Sequence, residues 1–262
     1  MTDTISNINL KNEFEVICEL RDLVIKDYAN TIKSVQKTSD KLGLGTSILL
    51  LKSMFNHLTS LEPLLKRCSI ESSGAVATSL WEKSIMLQFL LFEPQTRFKV
   101  YSEHDTFKKL PWSIKYMVDD IVKREPLSKH KNSQDNIDLQ YLQYSYLCAI
   151  KHGNPYTLSY LNRLTNNEDF FEPKSQINIE DKDILGWIYL NSITNFFDAI
   201  REFSKVFGSE EQFEKLRQLD KEISFKYITK IQLKIPQIIS TSPKDFRKEF
   251  WKYLMDLDEK TH

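Results

Sequence analysis

The sequence predicts an all-α protein: a multi-helix bundle of about eight to ten helices, antiparallel in its centre, with no significant β-sheet. Three observations carry that prediction. Only six glycines and eight prolines punctuate 262 residues, too few for the many tight turns of a sandwich or barrel. Apolar residues recur about three and four apart over long stretches, the period of one helix face. The chain is 41% hydrophobic, with 16 Phe, 11 Tyr and 4 Trp, enough aromatic surface to fill a core and too much for a disordered chain.

The elements follow in order. Phe14, Ile17, Cys18, Val24, Tyr28, Ile32 and Val35 trace one face of a first helix over 7–38. "DKLGLG" (40–45) is expected to break it, with Thr46 or Ser47 capping a second helix that Pro63 kinks near its end. A third helix over 72–92 has a small-residue first half, which admits a close neighbour, and a bulky second half. Pro94 opens a short helix, since its missing N–H costs nothing in a first turn, and "PWSIKYMVDDIVKRE" (111–125) forms another. "EPLSKHKNSQDN" (125–136) reads as a loop. A helix over 137–152 should stop at Gly153, with Pro155 preventing its continuation.

A long helix follows over 180–207, its acidic start "IEDKD" complementing the helix dipole and Gly208 closing it. Ser209 and Gln212 fit a reciprocal capping box opening a helix toward Lys234, before Pro236. Ser242 and Pro243 start a last helix with an apolar stripe of Phe246, Phe250, Leu254 and Leu257. The expected organisation is an N-terminal helix (1–42), a core bundle (43–156) and a C-terminal helical region (157–262) packed into the same globule.

Composition excludes some functions. Thirty-six basic and thirty-six acidic residues leave no net charge, so no long-range field draws in nucleic acid or an anionic membrane. Three dispersed cysteines without a CxxC pair suggest neither a disulfide framework nor a zinc cluster. The N-terminal stretch lacks a basic segment followed by an apolar one, so no secretory signal is expected, and a cytoplasmic location fits. The longest uncharged run, Ile184 to Phe197, is too short and polar to span a bilayer, so no membrane association is expected. His57 and His104 stand outside any HxxxH or HExxH pattern, and no metal or other cofactor is expected. The short basic runs at Lys108–Lys109 and 129–131 could touch phosphates, but such runs are usually solvated loops, and no RNP or zinc-finger signature accompanies them.

"SLWEKSIMLQFLLFEPQTRFKVY" (79–101) and "YSYLCAIKHGNP" (144–155) together resemble a bacterial all-helical family catalogued as domain of unknown function 5677. Leu80, Glu82, Pro94, Arg97 and Tyr101 match its first pattern; Tyr144, Cys148 and His152 match its second. Cys148 stands where that family usually has Ser, and Ala77, Thr78 and Ser79 occupy positions where an Arg is common. The resemblance covers 43–156. More distantly the arrangement is similar to HEPN-type domains, many of them ribonucleases in toxin and phage-defence systems. Those enzymes place an Arg shortly before the His. Here Ser145, Tyr146 and Leu147 stand there instead, which disfavours catalysis unless an Arg from another helix substitutes.

The candidate site follows from both lines. Cys148 and His152 share a helix face, with Tyr144 one turn further along, a geometry that permits a thiol–imidazole dyad or plain packing. Glu82 lies in an apolar stretch, where an ionised carboxylate requires a partner, and His152 is the expected one. Glu82, His152 and Tyr144 are the catalytic candidates; Arg97, Tyr101, Cys148 and Asn154 are the ligand-binding candidates. The competing expectation is a buried polar network that fixes helix register. In function, the resemblance implies a HEPN-like module in defence or stress response that binds or processes RNA. Any enzyme would be a metal-independent ribonuclease-like hydrolase. The alternative is a non-catalytic module that binds a protein partner or forms a homodimer through its helical faces.

Overall fold

A computed structural model describes residues 10–67, 69–104, 110–124, 179–223 and eight positions within 140–151, namely 140, 143–145, 147, 148, 150 and 151. Its helices are α1 (Leu10–Lys33), α2 (Lys41–Lys66), α3 (Ile70–Phe92), α4 (Pro94–Ser102), α5 (Ile114–Arg124), α6 (Ile179–Phe207) and α7 (Glu210–Glu222). The described positions within 140–151 are helical as well, and the described residues contain no strand. The protein is all-α, a helical bundle. The expected loop at 125–136, the stop at Gly153 and Pro155 and the helix beginning at Ser242 lie outside the described residues, as do His152 and Asn154.

α3 is the centre of the fold. From Leu80 to Leu91 it is buried at every position except Glu82 and Lys83, which are partly exposed. A helix apolar on all sides is stable only with neighbours on all sides. α6 packs most extensively against it, with α2 and α5 on its other flanks. α6 brings Ile188, Phe196, Phe197, Ile200 and Phe203 into the core. α1 crosses α6, so that Tyr28, Phe55 and Phe196 meet with ring centroids 5.3 to 6.4 Å apart. The α3–α6 contact also carries a polar pin: Ser84 Oγ donates to the Asn195 carbonyl at 2.7 Å. That bond is fully buried and adds specificity to an otherwise greasy interface.

Two boundaries differ from expectation for local reasons. α2 begins at Lys41, so "LGLG" belongs to the helix and does not break the chain. Asp40 is the cap, its carboxylate accepting from the Gly43 amide at 2.8 Å. A Cβ at position 43 would press on that carboxylate as it is placed, so the cap sits close over a residue that has none. Ser47, expected as a cap, instead donates to the Gly43 carbonyl at 2.7 Å from inside the helix. α1 ends at Lys33, and the chain beyond it is claimed by a tertiary contact, the Gln36 amide donating to the Phe207 carbonyl at 3.0 Å.

At the start of α7 only half of the expected capping box forms. Ser209 Oγ accepts from the Gln212 amide at 3.2 Å. The Gln212 side chain does not turn back; it donates to Thr31 of α1 at 3.2 Å and ties α7 to α1. Beside it Lys215 pairs with the buried Asp27 at 3.1 Å. α6 and the opening of α4 at Pro94 fall where the sequence places them.

The small first half of α3 receives the 140–151 stretch. A Cβ added at Gly74 would overlap Ile150 Cγ2 and Cβ, with the Lys151 backbone amide 3.6 Å away. Gly74→Ala should therefore lower unfolding stability by about 1–3 kcal/mol through overpacking, measured by urea denaturation. Gly45→Ala, on an open face of the same kind of helix, should be neutral or slightly stabilising in the same assay.

Candidate functional site

Glu82 and Lys83 sit side by side in the middle of α3, and helical geometry turns adjacent side chains about 100° apart. Each faces a different neighbour, and two polar clusters result.

The first joins α3 to the 140–151 stretch. Trp81 is fully buried and stacks on Tyr144, ring centroids 4.8 Å apart and planes 21° from parallel. The stacking aims the phenol at the next residue, and Tyr144 Oη donates to Glu82 Oε1 at 3.0 Å. Cys148, one helical turn further along, interacts with the Tyr144 hydroxyl and feels the Glu82 carboxylate. Burial, followed by the neighbouring Cys148 and then Glu82, raises the Tyr144 pKa far above that of an ordinary phenol. Burial likewise pushes the Cys148 thiol up; the Tyr144 hydroxyl lowers it, Glu82 raises it and Lys151 lowers it, in decreasing order. Both groups keep their protons at neutral pH. The cluster therefore consists of a carboxylate receiving a proton donor beside an inert thiol.

Of the sequence candidates, Glu82, Tyr144 and Cys148 thus come together. The donor to Glu82 within the described residues is Tyr144. Arg97 is placed elsewhere. Its guanidinium lies 3.8 Å from the centre of the Phe89 ring and donates to the Phe89 carbonyl at 2.7 Å. It pairs with Asp120 at 2.9 Å and Glu93 at 3.2 Å, and Arg124 completes the network by pairing with the same two carboxylates. Arg97 is 7% exposed, so its charge is spent in fastening α4 and α5 to α3. Tyr101 packs, partly buried, against the core.

The second cluster lies between α3 and α2. Lys83 Nζ donates to Ser79 Oγ at 2.6 Å, one turn back on its own helix, and lies 2.9 Å from His57 Nε2 on α2. Ser79 Oγ is 3.0 Å from the same His57 nitrogen. All three residues are partly exposed. An ammonium against Nε2 requires that nitrogen to offer its lone pair, which puts the ring proton on Nδ1. Burial, then the Lys83 charge, lowers the His57 pKa; burial lowers that of Lys83, while Glu82 raises it. Among the described residues Lys83 forms no ion pair with a carboxylate. Sequence reading considered His57 only as a metal ligand and passed over this cluster. The available signal was the Ser79/Lys83 spacing, which brings two side chains onto one face, but nothing in the sequence tells which α2 residue meets them.

Among the described residues no group of three or more His, Cys, Asp and Glu could hold a metal ion, and no helix is long and apolar enough to cross a membrane. No protein-family model, curated protein or solved structure matches the chain.

Two outcomes test these clusters. Tyr144→Phe deprives Glu82 of its donor and should cost about 1–3 kcal/mol; adding Glu82→Gln should cost less than the sum of the singles, with a coupling above about 0.5 kcal/mol in urea denaturation. For His57 the folded pKa lies below its ordinary 6.5, so the unfolded chain takes the proton more readily. That contribution to stability is whole above about pH 6.5 and is lost as pH falls toward the folded value. The stability difference between the protein and His57→Gln should shift in favour of the variant as pH is lowered from about 7.5 to about 5.5.

Proposed function

We propose that this chain is a HEPN-like helical module that binds RNA without cutting it. The resemblance of 43–156 to the uncharacterised helical family and, more distantly, to HEPN domains supplies the RNA class. The chemistry of the Glu82 cluster supports the non-catalytic half: Tyr144 donates a proton it does not give up, and Cys148 is no thiolate. A nucleophile or general base needs the opposite arrangement, a lowered pKa or a free acceptor within reach of substrate. The cluster instead ties α3 to the 140–151 stretch, as a buried polar contact does when it sets register. The absence of net charge means that binding must come from a few local contacts and will be modest in its salt dependence.

The test is a fluorescent single-stranded RNA of roughly twenty nucleotides titrated with purified protein. About two to three phosphate contacts predict a log–log salt slope near −1.5 to −2, with the RNA intact after prolonged incubation. No binding at about 50 mM salt removes the RNA reading. Cleavage that disappears in Glu82→Gln removes the non-catalytic one.

A further inference from the structure

We infer that Lys83, His57 and Ser79 form a binding site for a phosphate group where α2 meets α3. The three polar atoms lie within 2.6 to 3.0 Å of one another, and each belongs to a side chain that can donate to an anionic oxygen. What they lack is an acceptor equal to the charge. The ammonium is held against a neutral hydroxyl and a neutral imidazole, while the neighbouring carboxylate, Glu82, is engaged with Tyr144 on the adjacent face of α3. A half-buried cation whose direct contacts are both neutral, and which feels the Glu82 carboxylate only through space, still gains from a ligand that brings negative charge with its oxygens. Phosphate does both. One oxygen can take the ammonium, a second the Ser79 hydroxyl, and a third an imidazole that gains a proton as the anion arrives.

The same three groups do not make a nucleophile. Ser79 lies in the interior of α3, where the backbone amides are consumed by the helix and cannot form an oxyanion hole. Lys83 and Ser79 rigidly share one helical face, which suits recognition of a fixed anion. Lys83 is the charge acting on His57, and Glu82 is the charge acting on Lys83, so a bound anion has one clear electrostatic consequence: it offsets the Lys83 repulsion that adds to burial in lowering the His57 pKa. By linkage, whatever favours the protonated ring is itself bound more tightly when the ring is protonated.

This site stands on its own geometry and goes beyond the RNA reading, because inorganic phosphate alone can test it. Two sources fit the shared chemistry, free phosphate and the backbone of a nucleic acid, and the experiment separates them. The imidazole resonances of the full chain are followed by NMR across pH, with and without inorganic phosphate, and assigned with His57→Gln. Phosphate should shift the His57 signal saturably and raise its titration midpoint. Lys83→Met should weaken phosphate binding by about tenfold or more and Ser79→Ala by severalfold, while Lys83→Arg, which keeps the charge, should retain the effect and guards against loss of the fold in the methionine variant. A single-stranded oligonucleotide that moves the same signal and is displaced by phosphate assigns the site to a backbone phosphate; one that binds and leaves His57 unmoved assigns it to free phosphate. An absence of saturable shift with inorganic phosphate, or a shift undiminished in a folded Lys83→Met protein, overturns the proposal whether or not the chain binds RNA.

Discussion

The structure depends on the burial of one helix. α3 is apolar around nearly its whole circumference in its second half, and such a helix has no stable isolated form in water. α2, α5 and α6 exist where they do because α3 must be covered. Its few polar side chains then acquire disproportionate influence, and several are answered from a neighbour or from their own helix. Ser84 is answered by Asn195, and Thr78 by the Gly74 carbonyl. Glu82 and Lys83 are the only charges in α3 beyond Glu71 at its start, and their answers define the two polar clusters.

Placing an unlike pair of adjacent charges in such a setting has a geometric result. The helix separates them by direction, so they do not neutralise one another by direct contact. The carboxylate meets a phenol whose proton stays put; the ammonium meets a hydroxyl and a ring nitrogen. Each charge is met by hydrogen bonds with neutral partners on its own side of the helix.

Much of this was legible in the sequence. Periodicity and the scarcity of Gly and Pro identify the helices; Pro94 and Ser209 mark true starts because capping is local chemistry. The errors arise where a local signal meets a competing partner. The glycines at 43 and 45 look like a break, yet Asp40 upstream caps the helix on the Gly43 amide. Gln212 has the right spacing for a capping box, but Thr31 on a distant helix offers its side chain a buried partner. For the site, sequence marks Glu82 as a charge needing an answer and puts Tyr144 on the stripe that could supply it. It cannot rank Tyr144 against other residues on that stripe, because the choice is set by the stacking of Tyr144 on Trp81. Arg97 shows the same limit: its pattern suits anion recognition, and only the fold reveals that Asp120 and Glu93 already neutralise it.

The Trp81–Tyr144 stack carries a further consequence. Trp81 is wholly shielded from solvent, and its indole nitrogen has no hydrogen-bond partner among the described residues. Its emission is thus set by an apolar cage whose lid is a tyrosine from a different part of the chain. Should that stretch lift away, water would reach the indole and the emission would move to the red. With Trp112, Trp187 and Trp251 replaced, that shift would gauge whether the contact supporting Glu82 is closed, from one residue away.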